Sequence, residues 1–226
     1  MPCPVEDHFY NLYHQKVSLK RETNRTIKIL LSGTIQERKN QLSAIKAISI
    51  LKGKGYKVIL DIIGYEQLVK DYTNKCRETI QQNGLMHEVK IRGFTEHVQE
   101  FYSHSDILLC CSKDESMPQT ILQAMAAGVL VVSTEIAGIK ELIKDNYTGI
   151  LYSGTDEQSI AAALEKAMRL TPQQRMDILI NAHKTVKMVA DHQFISAELL
   201  NLYNEAFEIQ KNHSIPKLLK DSYKND

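Results

Sequence analysis

Apolar residues in this chain come in short unbroken runs, separated by longer stretches in which they recur every three or four positions. The runs fall at residues 27–32, 57–63, 89–92, 107–111, 129–133 and, more weakly, 149–152. Almost every position in them is apolar, rather than every second one, as expected of strands covered on both faces. The intervening stretches, at about 39–53, 66–83, 96–104, 118–127 and 138–144, have helical spacing. In the first of them Leu42, Ile45, Ile48 and Leu51 fall three apart on one drifting face. Gly53 and the Asn83-Gly84 pair stand where helices should stop. Three further helices are predicted near 156–169, 172–188 and 191–210. Thr171-Pro172-Gln173-Gln174 opens the second of these with a cap, a proline at the first position and a glutamine reaching back. Such alternation specifies an α/β fold: a doubly wound, Rossmann-like parallel sheet of about six strands, helices on both faces, and C-terminal helices added. Residues 1–26 read as a polar, irregular linker or N-terminal extension, 27–210 as the folded domain and 211–226 as a polar tail.

Composition narrows the classes. With 28 basic against 27 acidic residues and a formal charge of +1, the chain lacks the basic excess of a dedicated nucleic-acid binder. Glu6 and Asp7 interrupt the first ten residues, which hold no apolar run and so do not form a secretory signal. The longest uncharged stretch, 116–134, is broken by Pro118, Gln119, Gln123 and Gly128, and is read as buried core rather than a membrane span. The four cysteines, Cys3, Cys76, Cys110 and Cys111, show no paired metal spacing. Two of them are adjacent in an apolar run, which points to reduced core thiols and a cytoplasmic setting. Tryptophan is absent, which counts against a sugar platform built on stacking.

In a doubly wound sheet, ligands bind beyond the carboxyl ends of the strands, where helix amino termini point. After the first strand, Gly33 to Asn40 places a glycine at the strand end and Lys39 at the mouth of the next helix. Backbone amides and Lys39 together suit a diphosphate. Neither Gly-x-Gly-x-x-Gly nor Gly-Lys-Thr/Ser is present, and Arg38 and Lys39 are as compatible with a solvated helix start. After the fourth strand, Glu115 precedes a helix opened by Pro118. With Met117 at the cap, the amides of Gln119, Thr120 and Ile121 would be free for an anion. Alternatively Ser116 caps and Gln119 completes a capping box. Glu115 would repel a phosphate but suits a sugar hydroxyl, and Gln123, eight residues on, reaches a second set of hydroxyls. His87, His97 and His104 have no nucleophile or base at recognisable spacing, and His183 and His192 fall on the terminal helices, away from these loops.

Residues 112–132 resemble the Glu-x7-Glu segment of retaining glycosyltransferases, and specifically the carboxy-terminal, donor-binding half of glycosyltransferase family 4, which has the GT-B fold. Three further segments are similar in order and spacing: 33–41, 89–94 and 137–151. The resemblance covers about residues 27 to 210. It implies that Lys39 holds the donor diphosphate with the amides near Gln119 and Thr120, that Met117 and Pro118 belong to the same donor-binding set, and that Glu115 contacts the transferred sugar as the catalytic residue. Gly33 and Thr34 then lie on the donor loop, Gly93 and Phe94 border the base, and Gln123 takes the ribose-binding position. Two departures stand out: Gln123 replaces the second Glu of the motif, and Thr34 stands where an Arg is common.

The implied activity is transfer of a hexose from a UDP- or GDP-sugar to a glycan or lipid-linked acceptor, with no cofactor and no metal. The alternatives are a non-catalytic nucleotide-sugar-binding subunit that needs a partner, or a sugar-nucleotide epimerase of the same fold. Residues 1–26 are too few for the amino-terminal acceptor domain of this family. That domain, or a partner subunit, is therefore expected to supply the acceptor site and any peripheral membrane contact, this half alone is expected to be inactive, and the last helices are expected to expose apolar surface.

Overall fold

The computed structural model describes residues 4–17, 25–190 and 192–212. The elements run α1 (Asp7–Val17), β1 (Ile27–Ser32), α2 (Gln41–Gly53), β2 (Val58–Ile63), α3 (Lys70–Gln82), β3 (Val89–Gly93), α4 (Val98–His104), β4 (Ile107–Cys110), α5 (Gln119–Ala126), β5 (Leu130–Thr134), α6 (Ala137–Lys140), β6 (Ile150–Tyr152), α7 (Glu157–Met168), α8 (Pro172–Ala190) and α9 (His192–Asn212). The strands form one sheet in the order β3-β2-β1-β4-β5-β6, and every pairing is parallel. All six expected strands are present, each within a residue or two of its predicted ends.

Period-two alternation sorts the strand residues onto two faces. Ile29, Leu31, Leu60, Ile62, Leu109 and Val132 pack under α2, α3 and α7, whereas Leu30, Leu108 and Val131 pack under α1, α4 and α5. β4 and β5 are buried along their whole length, which accounts for their unbroken apolar runs. The uncharged stretch 116–134 folds as a loop, α5 and β5, and among the described residues no helix is long and apolar enough to cross a membrane. Thr171 and Gln174 cap each other reciprocally at the start of α8, at 2.9 and 3.2 Å, as the sequence predicts. Cys76, Cys110 and Cys111 are buried free thiols; Cys3 lies outside the described residues. Leu200, Tyr203, Phe207 and Ile209 on α9 are 62–72% exposed, the apolar surface expected there.

The N-terminal extension departs from its reading as an irregular linker. Residues 7–17 form α1, with Phe9 fully buried edge-on against Tyr102 (centroids 5.2 Å apart). The Val5 amide donates to the Ala190 carbonyl at 2.9 Å. Phe9 and Leu12 of α1, with Val5 just before it, pack on one core cluster, too short a pattern among acidic neighbours to stand out. The remainder of the extension, 1–3 and 18–24, lies outside the described residues, as does the tail beyond 212.

Tyr13 of α1 stacks on His183 of α8, ring centroids 3.7 Å apart, and His183 Nδ1 lies 3.1 Å from the Ala126 carbonyl. Burial depresses His183 to about 4, and its hydrogen bond with Ala126 only partly opposes this. The unfolded chain, with an ordinary imidazole, then binds more protons than the fold between pH 6.5 and about 4, so stability falls as the pH drops through that window. The cost from this group between pH 7 and 5 is expected to be about 2 kcal/mol. Urea unfolding at both pH values checks it: wild type should lose that much more than His183→Gln, and equal losses would remove the effect.

Candidate functional site

The strand order reverses between β1 and β4, and this switch point opens the crevice in which doubly wound folds bind ligands. The chain leaves β1 through Gly33, makes a 3-10 turn over Glu37–Lys39, and enters α2 through Asn40, which is left-handed (φ 59°). Asn tolerates that conformation better than most side chains. It is held there from both sides: Nδ2 donates to the Thr155 carbonyl at 2.7 Å and the Cys111 thiol donates to the Asn40 carbonyl at 3.5 Å. Lys39 is thereby fixed at the crevice. Its side chain runs along Gly33, where an added Cβ would lie 3.3 Å from Lys39 Cε. Gln41, fully buried, donates to the Thr34 carbonyl at 3.0 Å and steadies the intervening loop.

The loop after β4 brings Glu115 to the same place. Lys39 Nζ donates to Glu115 Oε1, Ser112 Oγ donates to the same oxygen at 2.8 Å, and Arg38 Nη1 lies 3.4 Å from Oε2. Thr134 Oγ1 of β5 anchors the Ser112 carbonyl at 2.8 Å. Gly138 backs the loop, since a Cβ there would sit 1.7 Å from the Ser116 carbonyl oxygen. The Glu115 side chain is 9% exposed and that of Lys39 15%. Burial pushes the Glu115 carboxyl up. The hydrogen bonds from Lys39 and Ser112 and the charges of Lys39 and Arg38 outweigh burial and hold it below the usual carboxylate range.

The sequence reading gives Lys39 a phosphate and Glu115 a sugar as two separate groups; the fold also brings the two side chains together as an ion pair. A nearly buried carboxylate requires a counter-ion, and Lys39 supplies it.

The start of α5 also differs from both expectations. Pro118, buried, is extended (φ −72°, ψ 113°) and stands before the helix instead of within it. Met117 does not cap; it packs, partly buried, against the core cluster under α1, α4 and α5. Ser116 does not cap either, and Gln119 donates its Nε2 to the Pro4 carbonyl at 3.1 Å instead of completing a capping box. The helix start carries no side-chain cap. The Ile121 amide, one of three expected to face a ligand, donates to the Pro118 carbonyl at 3.0 Å. The amides of Gln119 and Thr120 make up the rest of that set.

A cavity of about 240 Å³ opens beside the ion pair, lined by Gly33, Thr34, Tyr65, Phe94, Thr95 and Val98 among others. Gly33 is common to the cavity and to the Lys39 contact. Phe94 is 68% exposed, and Gly93 ends β3 just before it. Deeper in, burial pushes the Tyr102 hydroxyl up, so it stays protonated. Its single proton is within reach of two acceptors, the Thr120 carbonyl at 3.2 Å and Gln123 Oε1 at 3.1 Å. The predicted residues thus gather into an ion pair (Lys39, Glu115), a cavity lining (Gly33, Thr34, Phe94) with Gly93 next to it in the chain, and a helix start (Pro118 to Gln123), while Met117 packs partly buried against the core. Asn40, Ser112 and Tyr102 were missed as supports. Ser112 was legible in principle, three residues before a carboxylate it can reach.

A parallel sheet in this strand order, with a part-buried ammonium and an uncapped helix start at its switch point, defines a Rossmann-like α/β domain. Residues 15–185 match glycosyl transferases group 1, and the chain belongs to that family. It is 32% identical over 168 residues to the amylovoran biosynthesis glycosyltransferase AmsK of Erwinia amylovora, covering 71% of this chain and 39% of that protein. The Anabaena Alr3699/HepE structure, in complex with UDP and glucose, superimposes with a TM-score of 0.74 at 19% identity, covering 88% of this chain and 52% of the other. The C-terminal domain of a glycosyl transferase group 1 family protein (LpcC) from Francisella tularensis superimposes with a TM-score of 0.64 at 22% identity, covering 84% of this chain and 96% of that one. At such identities the structural likenesses establish the GT-B-type fold. The chain spans about half or less of the length of the curated relatives it matches.

Proposed function

We propose that the chain is the donor-binding half of a retaining glycosyltransferase, taking a hexose from a UDP- or GDP-sugar, with the acceptor bound by a second domain or partner. The observation that carries this reading is the buried Lys39–Glu115 pair at the switch point, beside the uncapped start of α5. A diphosphate entering there takes Lys39 and the amides of Gln119 and Thr120. It frees Glu115 to accept from a sugar hydroxyl. The base lies in the cavity at Phe94 and the ribose near Gln123. In transfer, the bond from the anomeric carbon to the diphosphate breaks, a bond to the acceptor oxygen forms, and the acceptor hydroxyl proton passes to the departing diphosphate. The ammonium and the helix amides stabilise the leaving diphosphate, and no metal enters the reading. UDP bound to Alr3699/HepE supports the choice of nucleotide, and the likeness to an isolated C-terminal domain supports the assignment as a half.

Calorimetric titration with UDP and GDP tests this: one of them should bind with a dissociation constant below millimolar, and failure of both removes the reading. Gln123 offers a finer test. Gln123→Glu keeps an acceptor for Tyr102 and presents a charged acceptor to the ribose. The variant should bind the same nucleotide more tightly by roughly 1 kcal/mol, about fivefold. Unchanged affinity would place the ribose elsewhere. A second reading, a non-catalytic binding subunit, is favoured by Thr34 in place of a cation and by the closure of Glu115 on Lys39. A stably co-purifying partner that lacks a donor site of its own would select it.

A further inference from the structure

Two cations share one carboxylate at the crevice, and they are held differently. Lys39 lies along Gly33 at the end of β1, where a diphosphate would sit. Arg38 is anchored on the opposite loop: its carbonyl accepts from the Lys113 amide at 2.8 Å and its Nη1 donates to the Asp114 carbonyl at 2.7 Å. A freely solvated arginine side chain would not make the second of these contacts. Its side chain is still 43% exposed, so it can follow Glu115 without disturbing the core.

The groups facing Glu115 are few. Lys39 and Arg38 come from the 3-10 turn, Ser112 and Cys110 from the β4 side, and the backbone of Gly138 covers the loop behind it. Burial pushes the Cys110 thiol up, so it brings no charge. Once a diphosphate claims Lys39, Arg38 is the one cation of this set left to a carboxylate that is 9% exposed.

Resting on the donor-site reading above, we infer that Arg38 is a positioning residue: with Ser112 it keeps Glu115 ionised and aimed at the sugar after the donor diphosphate has taken Lys39. Lys39 thus passes from carboxylate to phosphate, and Arg38 takes over the carboxylate. Arg38 itself need not touch the phosphate. Without it, Glu115 would be left nearly buried with no counter-ion and would take up a proton as the donor binds.

Proton uptake separates this role from a merely structural one. UDP-glucose and GDP-mannose serve as probes because their diphosphates carry no group that titrates near neutrality. Each is titrated calorimetrically into the chain at about pH 6, in buffers of different ionisation enthalpy. Wild type should bind one of them with no net proton uptake. Arg38→Ala should take up about half a proton or more per donor bound, and Arg38→Lys should return the count toward zero. Melting temperatures close to wild type, expected for an exposed side chain, certify both variants as folded. Binding by Arg38→Ala with the wild-type proton count would overturn the inference while leaving the donor site intact. Absence of binding by wild type to either probe would overturn the donor-site reading and this inference with it.

Discussion

Lys39→Ala is expected to weaken binding of UDP or GDP about 100-fold, close to 3 kcal/mol, because it deletes a charge-assisted contact in a poorly solvated crevice. The same substitution should destabilise the fold. It leaves Glu115, 9% exposed, with Arg38 and Ser112 only, and removing one member of a buried pair costs more than the pair itself contributes. The pH dependence follows from the lowered Glu115 pKa. The stability that wild type draws from this ionised carboxylate is present above the ordinary Glu range and is lost as the pH falls through the lower folded value. The gap between wild type and Lys39→Ala is therefore largest near pH 7, about 2 kcal/mol, and closes as Glu115 protonates. Denaturant unfolding at pH 7 and pH 4 measures it. A gap that did not narrow on acidification would mean that Glu115 does not depend on Lys39.

Gly138→Ala is expected to cost about 3 kcal/mol, which for a chain of this size lowers the melting temperature by roughly 6–12 °C. The added methyl would lie 1.7 Å from the Ser116 carbonyl oxygen and 2.7 Å from that of Glu115. Both obstacles are backbone, so no side-chain rotation relieves the clash. Where the loop retreats, it carries Glu115 away from Lys39, so any variant that does fold should also bind nucleotide with a changed affinity. Thermal melting with calorimetry on the soluble fraction checks both parts; a variant with unchanged melting and unchanged affinity would show that the loop is not held by this contact.

The sheet was legible because each strand is buried on both faces, which writes an unbroken apolar run into the sequence: β4 and β5 are buried at every position. Lys39 and Glu115 were legible as charges at the ends of such runs. Their meeting was not. They stand 76 positions apart, and what joins them is the adjacency of β1 and β4, a matter of strand order that no local pattern encodes. Arg38 was undecided for the same reason, since its partners Asp114 and Glu115 arrive on another loop. α1 was missed because a few apolar residues in a short segment are too little to distinguish it from a polar tail, although burying Phe9 against Tyr102 is enough to dock it. The α5 start was misplaced by one residue, because Met117 gains more from packing on the core than from occupying a cap where it has no acceptor to offer.

What everything else depends on is an exchange of partners at one ammonium group, from carboxylate to pyrophosphate. The most direct test is a crystal structure of the chain with UDP or GDP. The account predicts a diphosphate oxygen about 3 Å from Lys39 Nζ and from the Thr120 amide, with the base against Phe94 and Glu115 turned from Lys39 to Arg38. A bound nucleotide lying elsewhere on the molecule, with Lys39 still clasped to Glu115, would contradict it.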